Sequence, residues 1–269
     1  MAQSNCDGEY SLRQRADERS VLISVVPLAV RLGSPHSFQM NRPGATELRV
    51  FVYDTIARRG RPPASTEIGA HFGITPDDAR GAVADARLGK EMFPDPNTGE
   101  IAIAGPVAGA PTSFQVSASG VTWFANSAWD MLGVAAMFMT EVTIETRCTD
   151  CGDPVKFLLD PHSYPAFRFI KGSLDDKAII HFLVPARKWQ EDIATAAATM
   201  SLFRSEEHLN RWLTSRKLVK GAAVGLEQVW RLALAWFDDP RDPSWRQRTR
   251  EEQQAIVEGV GLRGAFWRF

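Results

Sequence analysis

Cysteine is scarce in this chain. Of 269 residues only Cys6, Cys148 and Cys151 carry thiols, too few and too unevenly placed for a disulfide framework. Long apolar runs are missing too. The longest, Val21 to Val30, is interrupted by Ser24 and Pro27 and reaches about half the length of a bilayer span, so no membrane partner is expected. The first residues mix acidic and basic groups where a secretory signal would have a basic head and an apolar stretch, which makes the cytoplasm the expected location. A dominant charge is also lacking: 31 basic and 32 acidic residues give a formal net charge of −1, and no overall field for nucleic acid or anionic lipid. Repeats and low-complexity tracts are absent. What is present, 44% hydrophobic and 23% charged residues, suits one large soluble domain or a small domain joined to a larger one.

Residues 1–45 form an N-terminal extension with no readable pattern. From Thr46 the apolar positions Leu48, Phe51, Val52, Tyr53 and Ile56 fall at helical spacing and stop at Gly60-Arg61-Pro62-Pro63. A second helix is expected from Ser65 to Phe72, ended by Gly73 as a left-handed cap. A third begins at Thr75-Pro76-Asp77-Asp78, where Thr75 can cap, proline suits the first turn and the acidic pair favours the positive end of the helix. Glu91 to Phe93 and Glu100 to Ile103, separated by Pro94-Asp95-Pro96-Asn97-Thr98-Gly99, read as a hairpin. Together, residues 46–104 are expected to make a winged-helix domain.

Gly105 to Pro111, rich in Gly, Pro and Ala, reads as a boundary. Beyond it, residues 112–237 mix strands, as at Ser113 to Ser117 and Val142 to Ile144, with helices, as at Ser127 to Met139 and Ser205 to Arg216. The expected class is therefore α+β, with a mixed sheet in the second domain. Residues 238–269 form an Arg- and Trp-containing tail whose aromatic end is expected to pack back on the core.

Within Trp123 to Leu132, Ser127 and Asp130 are three residues apart. On a helix they would share a face, so a hydroxyl and a carboxylate could converge on one small group; equally, Ser127 could be a helix cap and Asp130 a surface charge. Further ordered segments follow: Thr146 to Val155 with Cys148 and Cys151, His181 to Pro185, Leu202 to His208 with Trp212, and Leu226 to Trp230. This ordered set, over roughly residues 46–237, resembles the organomercurial (alkylmercury) lyases. The resemblance implies an N-terminal winged helix and, at Ser127-Ala128-Trp129-Asp130, the family's Cys-Ala-x-Asp motif with its nucleophilic cysteine and proton-carrying aspartate. It places the second catalytic cysteine at Ala197.

Both cysteines are thus replaced. Carbon–mercury cleavage in that family uses two thiolates to hold a soft metal while the aspartate protonates carbon. A serine hydroxyl is a hard donor and alanine offers none. The expected function is a diverged lyase or hydrolase acting on a small molecule, with Asp130 as general acid or base and Ser127 orienting substrate or water. The alternatives are a mercury, soft-metal or small-ligand binding protein and a winged-helix regulator.

Cys148-x-x-Cys151 is the remaining soft pair. A structural role, a site for mercury or zinc, and redox chemistry are all open to it, with His162 and His181 as further ligands by count alone. Arg58-Arg59-Gly60-Arg61-Pro62 contains the core of a minor-groove hook. The helix beside it carries Asp77, Asp78 and Asp85 against Arg80 and Arg87, which argues against nucleic acid as a partner and for a simple loop between helices. The eight tryptophans read first as core and only second as an aromatic pocket.

Overall fold

The computed structural model describes residues 42–86, 92–169 and 173–269. The extension as far as residue 41, with Cys6 and the Val21 to Val30 run, lies outside the described residues, as do Arg87 and Glu91.

Three helices open the described chain: α1 (Ala45–Arg59), α2 (Ser65–Phe72) and α3 (Pro76–Ala86). α1 ends where Gly60 takes a left-handed φ of 76°. A Cβ there would lie 1.9 Å from the Thr122 carbonyl oxygen, so only glycine lets the helix end approach this strand. Gly73 caps α2 with φ 68° as expected. The Asp78 N–H donates to Thr75 Oγ1 at 3.1 Å, which starts α3. The hook-like arginines are used locally. Arg59 and Arg61 both pair with Glu67, whose carboxylate also accepts from the Ala64 N–H at 2.8 Å, and Arg61 foremost holds this carboxyl well below its usual range.

The hairpin also forms, as β1 (Met92–Pro94) and β2 (Ile101–Ala104), with Met92 opposite Ala104 and a register shift between Phe93 and Pro94 that sets Pro94 opposite Ile101. A short third strand, β3 (Val107–Ala108), extends it. That strand lies inside the stretch read as a boundary, and Val107 forms a further bridge to Ala125. Chain entropy makes Gly- and Ala-rich segments good linkers, but here the small side chains let backbone pair closely with backbone.

A five-stranded antiparallel sheet follows, in the order β5-β4-β6-β7-β8, from β4 (Gln115–Ala118), β5 (Val121–Phe124), β6 (Val142–Arg147), β7 (Pro154–Leu159) and β8 (Phe167–Phe169). Along β6, Val142, Ile144 and Thr146 are buried and alternate with more exposed neighbours, the period of a one-sided strand. A second sheet sets β9 (Ile179–Phe182) between β10 (Met200–Phe203) and β11 (Ala222–Gly225). Against these pack α4 (Ala128–Phe138), α5 (Ile193–Ala198), α6 (Glu206–Arg216) and α7 (Leu226–Trp236). α4 is apolar on every side except at Asp130, and every residue from Ala128 to Met137 is buried, which places it inside the molecule. The class is α+β, and among the described residues no helix is long and apolar enough to cross a membrane.

The tail holds a helix that its sequence had not suggested, α8 (Arg250–Gly259), started by a reciprocal cap between Thr249 and Glu252. Its aromatic end packs back as expected: Trp267 is buried, with its ring 5.2 Å from Phe182 and 5.9 Å from Trp189. The loop before α8 is tied to α1 by one side chain. Arg49, only 5% exposed, donates to the carbonyls of Pro240 (2.8 Å), Asp242 (3.1 Å), Pro243 (3.4 Å) and Trp245 (3.2 Å). Its guanidinium also lies 5.1 Å from the centre of the Trp245 ring.

Replacing Arg49 by methionine keeps most of the volume and removes every donor. The expected loss is roughly 2–4 kcal/mol of unfolding free energy, since hydrogen bonds from a charged donor each contribute about 1.5–3 kcal/mol and several are lost together with partial rescue by water. Urea denaturation of Arg49→Met measures it; a loss below about 0.5 kcal/mol would show that the loop is held by other contacts.

Candidate functional site

Ser127 is the cap of α4 and not part of its spiral. Its backbone is extended, its Oγ accepts from the Asp130 N–H at 3.1 Å, and the same hydroxyl donates to Asp130 Oδ2 at 2.8 Å. The two residues meet as the sequence suggested, but through cap geometry instead of a shared helical face. Ser127 is fully buried and also lies 3.8 Å from the Met200 sulfur.

Asp130 opens onto a cavity of about 200 Å³. Ala197 on α5 and Met200 on β10 line the same cavity, so the two sheets and α4 bring Asp130 and Ala197 together. Ser127 is not in the lining; it stands behind Asp130. Four tryptophans, Trp129, Trp189, Trp236 and Trp245, make much of the wall. Trp129 is their hub, with ring centres 5.2 Å from Trp189, 5.3 Å from Trp236 and 5.1 Å from Phe237. Gly133 on α4 makes room for that arrangement: a Cβ there would come 2.5 Å from the Phe237 ring. The tryptophans read first as core are thus in part a pocket wall.

Burial is the dominant influence on the Asp130 carboxyl and pushes it up to about 7, against the lowering effect of the Ser127 hydrogen bond. A carboxylate in the first turn of a helix is favoured by the helix dipole, yet a site walled by aromatic rings removes more hydration than the cap returns. The polar groups of the tail are largely engaged with one another. Gln190 donates to Gln253 at 2.8 Å, and Arg248 pairs with Asp238.

A second cluster lies outside this lining, at the turn between β6 and β7. Cys148 is buried and Cys151 exposed. Their sulfurs and one nitrogen of His208 all fall within 4.8 Å of one another, a donor set able to hold a metal ion. The ligands expected from count do not join them. His162 Nε2 lies 3.0 Å from the Met139 carbonyl oxygen. His181 is fully buried and kept neutral, its burial pulling the imidazole down to about 4, and its Nε2 accepts the Gly221 N–H at 3.0 Å. Histidine spacing along the chain carries no information about which one a fold delivers; α6 delivers His208.

Residues 107–238 match the family model for MerB, alkylmercury lyase. This stretch belongs to the alkylmercury lyase family. The chain is also similar to a solved structure, the mercury-bound form of MerB2, at 20% identity and a TM-score of 0.51, over 71% of this chain and 88% of that one. At that identity the likeness is one of fold. No curated protein matches the chain.

In this alkylmercury lyase domain Ser127, expected at the motif cysteine, caps α4, and Ala197, expected at the second cysteine, lines the cavity. Sequence reasoning singled out both residues. It missed Gln247, Arg248 and Gln253, which line the cavity from the tail beside Trp245, and for these no signal exists in the local pattern. It also left His208 unassigned, although that residue lay within a segment already matched to the lyases.

The raised Asp130 carboxyl has a consequence for stability. Its folded value, about 7, lies above an unfolded value of about 3.9, so the fold binds the proton more tightly than the unfolded chain does. The favourable contribution is complete below pH 4, declines between about pH 4 and 7, and is gone above that, an effect of about 4 kcal/mol. Urea unfolding of Asp130→Asn across this range should lack this decline; an unchanged pH profile would mean that Asp130 ionises normally.

Proposed function

We propose that the alkylmercury lyase domain is a proton-transfer enzyme of lyase or hydrolase type, with Asp130 as proton donor and acceptor toward a small molecule bound in the tryptophan-walled cavity. The observation that carries this reading is the buried Asp130 carboxyl, poised near neutral pH at the cavity wall beside Ala197. A general acid–base works best when its pKa lies near the working pH. Because Ser127 donates to Oδ2, Oδ1 is the oxygen left to exchange a proton with the substrate. Ser127 therefore orients the carboxyl and does not attack.

Carbon–mercury cleavage is not the expected reaction. The sulfurs lining the cavity belong to Met137 and Met200, neutral thioethers that cannot offset the charge of a mercuric ion as two thiolates would. The helices α1 to α3 and the β1-β2-β3 sheet are read as a winged-helix-like element whose work is to build the cavity, since Tyr53, Phe93 and Ile103 line it. The acidic face of α3 supports that use over DNA binding: its Arg80 pairs with Asp77 and Glu100, and phosphate needs cations that are free to meet it.

Incubation with an alkylmercury compound should release no hydrocarbon on gas chromatography, whereas turnover at rates typical of the family would overturn the cysteine argument. In a panel of small esters, amides and elimination substrates, turnover should follow a titration near pH 7 and be lost in Asp130→Asn. A substrate whose rate survives that change would remove Asp130 from the chemistry.

A further inference from the structure

The turn joining β6 to β7 is built as a rigid knuckle. Its Cys148 N–H donates to the Asp153 carbonyl at 3.0 Å, and its Gly152 N–H to the Cys148 carbonyl at 2.9 Å. The Thr149 N–H donates to the Leu202 carbonyl of β10 at 2.9 Å, which fixes the turn against the second sheet. Cys148 packs with Phe203, Leu209 and Leu213, so its sulfur is held under α6. That helix places His208 and Arg211 three residues apart, on one side, over the knuckle.

Around His208 Nδ1 the contacts have the character of a cation site. Cys148 Sγ is 3.6 Å away, Asp150 Oδ2 3.2 Å and the Arg211 guanidinium 3.0 Å. Zinc bonds of about 2.3 Å to sulfur and about 2.0–2.1 Å to nitrogen, at a tetrahedral angle, set those two atoms about 3.5–3.6 Å apart. The Cys148–His208 separation matches that edge, and the other two pairs of the trio lie within 4.8 Å. Two sulfurs, one imidazole nitrogen and a nearby carboxylate form a donor set that is soft and anionic once the thiols ionise, and such sets select zinc over harder divalent ions. Arg211, which also contacts Asp150, supplies positive charge at the point the acceptors surround.

We propose that Cys148 Sγ, Cys151 Sγ and His208 Nδ1 bind one zinc ion, completed by a ligand from solvent, and that the ion takes the place of Arg211 at His208 while Asp150 retains the guanidinium. Zinc binding releases the thiol protons to solvent and changes no oxidation state. The ion clamps α6 to the β6–β7 turn. Through β10, whose Leu202 meets the knuckle and whose Met200 lines the cavity, it also stiffens one wall of the Asp130 site. This clamp is independent of the proposed reaction at Asp130.

The full reduced chain, titrated with zinc alone against a chromogenic chelator, should take up one equivalent. With cobalt it should show thiolate-to-metal absorption in the near ultraviolet and the strong visible bands of a tetrahedral site. Cys151 is exposed, so Cys151→Ser tests a ligand without disturbing the core; it and His208→Ala should each weaken zinc more than about 100-fold, and Asp150→Asn about 10- to 100-fold. Arg211→Ala should bind zinc more tightly, and Asp130→Asn should bind it unchanged. The proposal is overturned if the reduced chain takes up no stoichiometric zinc, which would leave a thiol–imidazole hydrogen bond only. It is equally overturned if His208→Ala keeps full affinity and the tetrahedral cobalt spectrum.

Discussion

The carbonyls of Pro240, Asp242, Pro243 and Trp245 converge on the guanidinium of Arg49, and much of the molecule follows from that convergence. A buried cation with no carboxylate partner among these contacts is stable only if dipoles satisfy its donors, and a loop of polar backbone can be buried only if something satisfies its acceptors. Each requirement answers the other. The result ties the last part of the chain to its first described helix and holds Trp245 and the residues after it against the cavity. Trp245, Gln247, Arg248 and Gln253 line that cavity, so a site assigned by motif to residues 127–130 is closed by residues more than a hundred positions later.

Within that enclosure, the chemistry of Asp130 is set by what surrounds it. The wall of rings removes water, and the Ser127 hydroxyl returns one hydrogen bond. Serine suits the cap of α4 and ionises far less readily than a thiol would there. Ala197 offers the cavity an apolar methyl group and no donor atom. Membership in the alkylmercury lyase family describes the framework of residues 107–238; the side chains in the cavity describe its chemistry.

Local signals were legible where the physics is local. The caps at Thr75 and Gly73, the arrest at Gly60, the hairpin around Asp95 to Gly99 and the alternation in β6 depend on neighbours a few residues away, and each was readable in the chain. The convergence of Ser127 and Asp130 was readable too, although its cause is a cap. Illegible features depended on pairing at a distance. Gly105 to Pro111 has the composition of a linker, yet Val107 pairs with Ala125. His162 and His181 were as good on paper as His208, and only the docking of α6 on the β6–β7 turn distinguishes them. The helix α8 was hidden in a tail whose arginines and acidic residues obscured its apolar stripe.

By itself, then, the sequence determined an α+β chain, the meeting of Ser127 with Asp130, and residues without a thiol at positions 127 and 197. Those are properties of residue identity and short-range spacing. Only the tertiary structure decided that Asp130 faces an aromatic cavity at a pKa near neutrality, that the tail closes it, and that His208 joins Cys148 and Cys151. Desolvation and metal-donor geometry are set by atoms brought within a few ångströms by packing, and the distance between those atoms along the chain carries no record of it.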